Sequence, residues 1–240
     1  MRKRNAAVLV VLVLTLMGSS TMAGAASRAG GLANAHLARV KPGTKRFFYR
    51  MGETAGCPAL TDRCRRKGYV LPGDVLLAWG SSGAFTSVEF VTPNGQHSAG
   101  AIETASLEPV SAEAAPPLSA WIGEWTRDSE AHIGIKAIGG GNRLAVTGNA
   151  LWGSKDPVRV RNGGINDGEL DGAFVPSGAW GGVLESGAER VDWQRAFPFN
   201  SEDSYDCRVQ LRLVGPYLLV NDDENHCGGV NVTFSGVYRK

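Results

Sequence analysis

The chain has 240 residues, with 25 basic and 23 acidic side chains giving a formal net charge of +2. That near balance excludes the strongly electropositive footprint of a nucleic-acid binder. Glycine occurs 32 times, well above the usual ~7%, and collects at turn positions, which favours many short strands.

In chain order, Arg2, Lys3 and Arg4 give a positive start, and Ala6 to Met17 run apolar except for Thr15. Gly18, Ser19 and Ser20 follow, then Ala23-Gly24-Ala25, an A-x-A cleavage signature. Residues 1–25 are therefore expected to be a cleavable secretory signal. The apolar run falls short of the ~20 residues needed to span a bilayer, and no second such run follows, so no membrane insertion is expected after cleavage. No cysteine stands at the cleavage point for lipid attachment. Cleavage removes three basic groups and turns the net charge of +2 into −1. The expected location is periplasmic or extracellular.

Residues 26–43, rich in Ala, Gly and Arg, read as a flexible lead-in. Residues 44–110 form the first expected domain, with strands at Arg46–Arg50, Asp74–Trp79, Phe85–Val91 and Ala99–Glu103. Residues 111–118, carrying Pro116-Pro117, read as a semi-rigid linker, because successive prolines remove donors and fix φ. Residues 119–240 form the second domain, where alternation is clearer. Cys207, Val209, Leu211 and Leu213 share one face against Arg208, Gln210 and Arg212, and Ile133, Ile135, Leu144 and Val146 repeat the pattern. Val230, Val232, Phe234, Gly236 and Tyr238 predict a last strand. A period of two places one face on a core and the other in water. No 3.6-residue stripe of ten residues occurs, so both domains are expected to be all-β. The halves differ in sign: residues 26–115 hold ten basic and seven acidic groups (+3), residues 116–240 twelve and sixteen (−4).

The four cysteines are even in number, and an oxidising compartment favours the local pairs Cys57–Cys64 and Cys207–Cys227 over a zinc site, whose spacing neither pair has.

From Lys45 to Val110 the chain resembles bacterial SH3-like domains, small barrels of five or six strands. The residues carrying this are Gly73-Asp74 opening Val75–Trp79, the strand Phe85–Val91, the turn Pro93-Asn94-Gly95, then Gly100-Ala101-Ile102 and Leu107. Gly100-Ala101 stands where the family often has Gly-Trp, and the loop with Cys57-Pro58 and Cys64 is an insertion. The resemblance implies binding of cell-wall peptides or proteins. Gly123-Glu124-Trp125 and Arg239 make the second domain similar to calycin-type up-and-down barrels, the group of lipocalins and secreted protease inhibitors. There an arginine of the last strand packs over the G-x-W tryptophan, a cation–π contact of about 0.5–2 kcal/mol. The expected fold is thus all-β, a small SH3-like barrel followed by a larger antiparallel up-and-down barrel.

No catalytic constellation is legible. G-x-S-x-G, H-E-x-x-H, a P-loop and a post-strand G-x-G-x-x-G are all absent from the sequence, and His36, His97, His132 and His226 lack partners at ligand spacing. No cofactor and no metal is expected. Asn221 to His226, with Asp222, Asp223 and Glu224, reads as a solvated hairpin tip, a cation loop being the alternative. Asp167–Gly172 starts like an EF-hand, but its twelfth position is Gly178. Arg63, Arg65, Arg66 and Lys67 form the one dense basic run, read as a solvated loop or an anion contact; without interleaved aromatics it disfavours nucleic acid. Trp180, among glycines, is the tryptophan expected to be exposed. The leading expectation is a monomeric, non-enzymatic binding protein, its SH3-like domain engaging a cell-wall peptide or protein and its barrel a second partner. The alternatives are an inhibitor of a secreted hydrolase (a protease or lysozyme) and a carrier of a small apolar ligand.

Overall fold

A computed structural model describes residues 31–52, 54–92, 96–111, 115–184, 207–222 and 227–240. The expected signal, the turn at Pro93–Gly95, and Asp223, Glu224 and His226 lie outside the described residues.

The structure consists of two antiparallel β-sheets with a few very short helices. The first begins with α1 (Gly31–Asn34) and the strands β1 (His36–Val40), β2 (Arg46–Tyr49), β3 (Arg65–Val70), β4 (Val75–Ser82), β5 (Phe85–Val91), β6 (His97–Glu103) and β7 (Leu107–Val110). Its order is β3-β2-β6-β5-β4-β1-β7. The expected flexible lead-in is thereby corrected: β1 lies between β4 and β7, with Leu37 opposite both Leu77 and Val110. Ala38 and Val40 point into the core with Phe48, Leu76, Ala78, Val88 and Ile102. Leu37 points to the opposite face, so this five-residue strand buries apolar side chains on both sides, while His36 and Arg39 stay exposed.

The second sheet follows α2 (Leu118–Trp121) with β8 (Gly123–Asp128), β9 (Ala131–Ala137), β10 (Leu144–Trp152), α3 (Pro157–Arg161), β11 (Asn166–Phe174), β12 (Trp180–Leu184), β13 (Arg208–Val214), β14 (Tyr217–Asp222) and β15 (Gly236–Arg239). Its order is β11-β10-β9-β8-β15-β14-β13-β12. Every neighbour is a neighbour in sequence except β8 and β15, whose pairing of Thr126 with Arg239 makes a nearly closed up-and-down barrel. β11 and β12 flank the gap, where the Phe174 ring lies against Gly181. Trp125, Ile133, Ile135, Leu144, Val146, Leu211, Leu218, Phe234 and Tyr238, none more than 1% exposed, fill the interior. Each such burial contributes about 1.5–3 kcal/mol. Trp121 enters the same core, its backbone carbonyl accepting from Trp125 Nε1 at 2.8 Å.

Both expected disulfides are present, with Cα atoms 5.6 Å apart in Cys57–Cys64 and 4.5 Å apart in Cys207–Cys227. They fit a protein of an oxidising compartment such as the periplasm or the extracellular space.

The expected strand over Val230–Tyr238 is corrected to Gly236–Arg239. The sequence does alternate, and Val232, Phe234 and Tyr238 all reach the barrel core. Between 233 and 235, however, side chains replace the ladder. The Asp222 carboxylate accepts from Phe234 N at 2.6 Å and from the Thr233 hydroxyl at 2.9 Å, and also from Ser235 Oγ. The Arg127 guanidinium donates to the carbonyls of Thr233 and Ser235 at 2.7 and 2.9 Å. Asn231 takes φ 67°, which breaks the extended path, and Val230 is left 76% exposed.

Candidate binding surfaces

β14 is buried along its whole length. Leu218 and Val220 face the barrel interior, while Tyr217 and Leu219 face outward with Val214 and Val237. An outward barrel face would ordinarily meet water. Here it meets Leu37, Leu77 and Val91 of the first sheet, with Leu32 from α1 and Ala35 just after it closing one side. Tyr217 Oη donates to the Val75 carbonyl at 2.8 Å, Arg239 donates to the Val91 carbonyl and Arg212 to the Leu32 carbonyl. The turn at Gly215 is pressed so close that an added Cβ would sit 2.6 Å from Leu37 Cδ1. The sheets therefore share a buried apolar seam. Burial in it pushes the Tyr217 hydroxyl up to about 12, the nearby Arg239 charge pulling the other way.

Beside the seam opens a groove of about 490 Å³. Its walls are Leu37, Val75, Phe90 and Val110 of the first sheet and Pro216 of the barrel, with Asp74 and Arg239 as its two charged groups. Asp74 Oδ2 accepts from Leu71 N at 2.7 Å, which holds the carboxylate at the turn before β4. Arg239 lies 5.6 Å from the Tyr217 ring centroid. Arg239 is thus not the cation over Trp125; that place belongs to Lys240, whose Nζ is 4.5 Å from the Trp125 ring and donates to the Ala120 carbonyl at 2.7 Å. β15 turns Arg239 outward beside Tyr217 and Val237, whereas Trp125 points inward. Gly123 opens β8 at φ +138°, with the Lys240 side chain against it.

The Arg63–Lys67 run is not simply a loop. Arg63 caps the stapled loop by donating to the Ala55 carbonyl, while Arg65, Arg66 and Lys67 begin β3. Register pairs Tyr69 with Phe47 and Arg65 with Tyr49. The Phe47 and Tyr69 rings meet edge to face at 6.1 Å. Lys45 Nζ stands 5.1 Å from the Phe47 centroid and 4.7 Å from that of Tyr69, and the Arg65 guanidinium is 5.1 Å from Phe47. Arg65 also pairs with Asp62 at 2.8 Å. The aromatic partners missing along the basic run are supplied by the neighbouring strand. A period of two, Lys45-x-Phe47-x-Tyr49 against Arg65-x-Lys67-x-Tyr69, was the sequence signal that could have exposed them.

Two other expected site residues take different places. Asp222, expected at a solvated tip, is 3% exposed and fully engaged by its three donors. Trp180 is half-buried on β12, packs against the seam and lies 5.1 Å from the Arg212 guanidinium.

At one rim of the barrel a charged network ties β8 to the β10–α3 loop. Lys155 Nζ reaches Asp128 at 3.4 Å and Glu130 at 3.3 Å, Arg127 Nε reaches Asp128 at 3.1 Å, and Ser154 Oγ donates to Glu130 at 2.7 Å. Burial raises both carboxyls, but the Glu130 amide, Arg127 and Lys155 more than offset it at Asp128. Ser154 and Lys155 do so at Glu130, and both end below their ordinary values. Beyond the network, α3 projects from the rim. Asp156 Oδ1 caps it by accepting from Val158 N at 2.9 Å, with Pro157 at its first position. The helix leaves Val158 and Val160 59% and 49% exposed.

Among the described residues no group of three or more His, Cys, Asp or Glu side chains converges in metal-binding geometry. The chain matches no known protein family, no curated protein and no solved structure.

Proposed function

We propose that the chain is an exported, non-catalytic binding protein of the cell envelope, its first sheet an SH3-like module and its barrel a calycin-like base. The observation that supports this is the groove beside the seam, an apolar cleft with one carboxylate, Asp74, and one guanidinium, Arg239. A cleft of that size with few polar groups suits a short ligand whose polar ends fix its orientation. A wall peptide, bearing a carboxylate for Arg239 and an amine for Asp74, fits that chemistry. The barrel offers a second partner the exposed Val158 and Val160 of α3.

Co-sedimentation of the chain lacking residues 1–25 with purified cell-wall sacculi tests the reading. Retention at both 50 and 300 mM salt that is lost in Arg239→Ala is expected, since a groove contact is screened less than a surface one. Retention only at low salt, or equal retention of Arg239→Ala, would reject it.

The inhibitor reading has one observation in its favour, the same apolar tip at α3. Inhibition of a lysozyme or secreted protease at micromolar protein, abolished by Val158→Asp, would put it first. The carrier reading has the filled barrel interior against it.

A further inference from the structure

We infer that β3 is a docking edge for an extended, acidic segment of a protein partner, which adds to the first sheet as a further strand. The site is distinct from the groove and does not depend on it. Among the described strands β3 pairs with β2 alone, so its outer side presents backbone donors and acceptors. Such edges are normally blunted by charge or by twist. Here the charge is ordered: Lys45 is held over Phe47 and Tyr69, and Arg65 over Phe47, in place of extending freely into water.

Between residues 45 and 67 seven basic side chains stand against two acidic ones, and all but Lys45, Arg46 and Arg50 fall at Arg63–Lys67, at the start of the edge. At its other end Tyr69, and Leu71 just beyond the strand, are 49% and 52% exposed. An occupant is thus asked for carboxylates at one end and apolar side chains at the other. The edge is also tied down at its start. The Cys57–Cys64 loop abuts it, Arg50 N donates to the Cys64 carbonyl at 2.7 Å and Arg65 N to the Thr61 carbonyl at 3.0 Å. Little ordering cost then falls on the protein side. In strand addition the main chain supplies affinity and the alternate side chains supply selection, so a peptide satisfies both features of this edge while a glycan could use only the charges.

The test uses the chain without residues 1–25 and three probes: an end-blocked octapeptide alternating Glu and Val, the same peptide N-methylated at alternate residues, and polygalacturonate. Titration in 100 mM salt is paired with hydrogen exchange followed residue by residue. We expect the parent peptide to slow exchange at alternate amides of β3, and N-methylation or the Lys45→Ala/Arg65→Ala pair each to weaken binding about tenfold or more. Arg239→Ala is expected to bind the peptide unchanged, so this edge and the groove stand or fall separately. Equal binding of the N-methylated peptide or of polygalacturonate, or no slowing in β3, would reduce the surface to an electrostatic patch and overturn the inference.

Discussion

Leu218 and Leu219 are adjacent, equally buried at 0% exposure, and point to opposite faces of β14. Leu218 belongs to the barrel core and Leu219 to the seam with Leu77. Truncating either to alanine removes the same atoms. Each is expected to cost about 3 kcal/mol, within the range of about 2–5 for buried leucines, because neither of two hydrogen-bonded sheets can collapse onto the void. With a urea m-value of about 2.5 kcal/mol/M, each midpoint falls by roughly 1 M. The coupling separates them. Leu77→Ala and Leu219→Ala share one cluster and are expected to be non-additive by about 0.5 kcal/mol or more, while Leu77→Ala and Leu218→Ala add to within about 0.5 kcal/mol. Equilibrium unfolding of the three single variants, the two double variants and the wild type, followed by tryptophan fluorescence, measures both. A cost for Leu219→Ala below about 0.5 kcal/mol, or simple additivity with Leu77→Ala, would refute a seam that unites the sheets.

Other perturbations read other parts of the structure. Asp222→Ala leaves Phe234 N, Thr233 Oγ1 and Ser235 Oγ without their acceptor and should destabilise by about 3–5 kcal/mol in urea melts, well beyond any surface aspartate. Asp128 and Glu130 titrate below their unfolded values, so their contribution is complete above pH ~4.5 and is lost as the pH falls through the lowered folded values. Lys155→Met should flatten that acid loss in thermal melts between pH 6 and 3. Tyr217, raised to about 12, contributes in the opposite direction: its share is present below pH ~10 and is lost as the pH rises through 12, visible as a late phenolate absorbance step that Tyr217→Phe removes. Gly168→Ala would place a Cβ 2.2 Å from the Cys227 carbonyl oxygen, and its melting temperature should fall by several degrees.

Where one face meets a core and the other meets water, the sequence was readable. The alternation of Val209, Leu211 and Leu213 and of Ile133 and Ile135 assigned β13 and β9 together with their inward faces. It failed where that contrast disappears. β14 is apolar on both faces because the first sheet covers its outside, and β1, with Leu37 buried on one face and Ala38 and Val40 on the other, read as part of a lead-in rich in Ala, Gly and Arg. The opposite failure occurred at 230–235. The alternation was real, but two polar side chains, Arg127 from the first strand of the barrel and Asp222 from the end of β14, hold that backbone in a non-strand path. The site suffered the same blindness. Asp74 and Arg239 are 165 positions apart and become neighbours of one groove only through the seam. Lys45 and Arg65 become a unit only through the register of β2 with β3.

The barrel's closure also constrains how it can form. The pairings among β8 to β11 and among β12 to β15 join strands consecutive in sequence, and such contacts can assemble before the barrel closes. The pairing of Thr126 with Arg239 spans almost the entire barrel, and β15 is the last of its strands to be synthesised. While it is missing, β8 and β14 are both open edges, and the outer face of β14 is exposed apolar surface. While the chain is still being made the barrel therefore waits, with two sticky margins, for this four-residue strand.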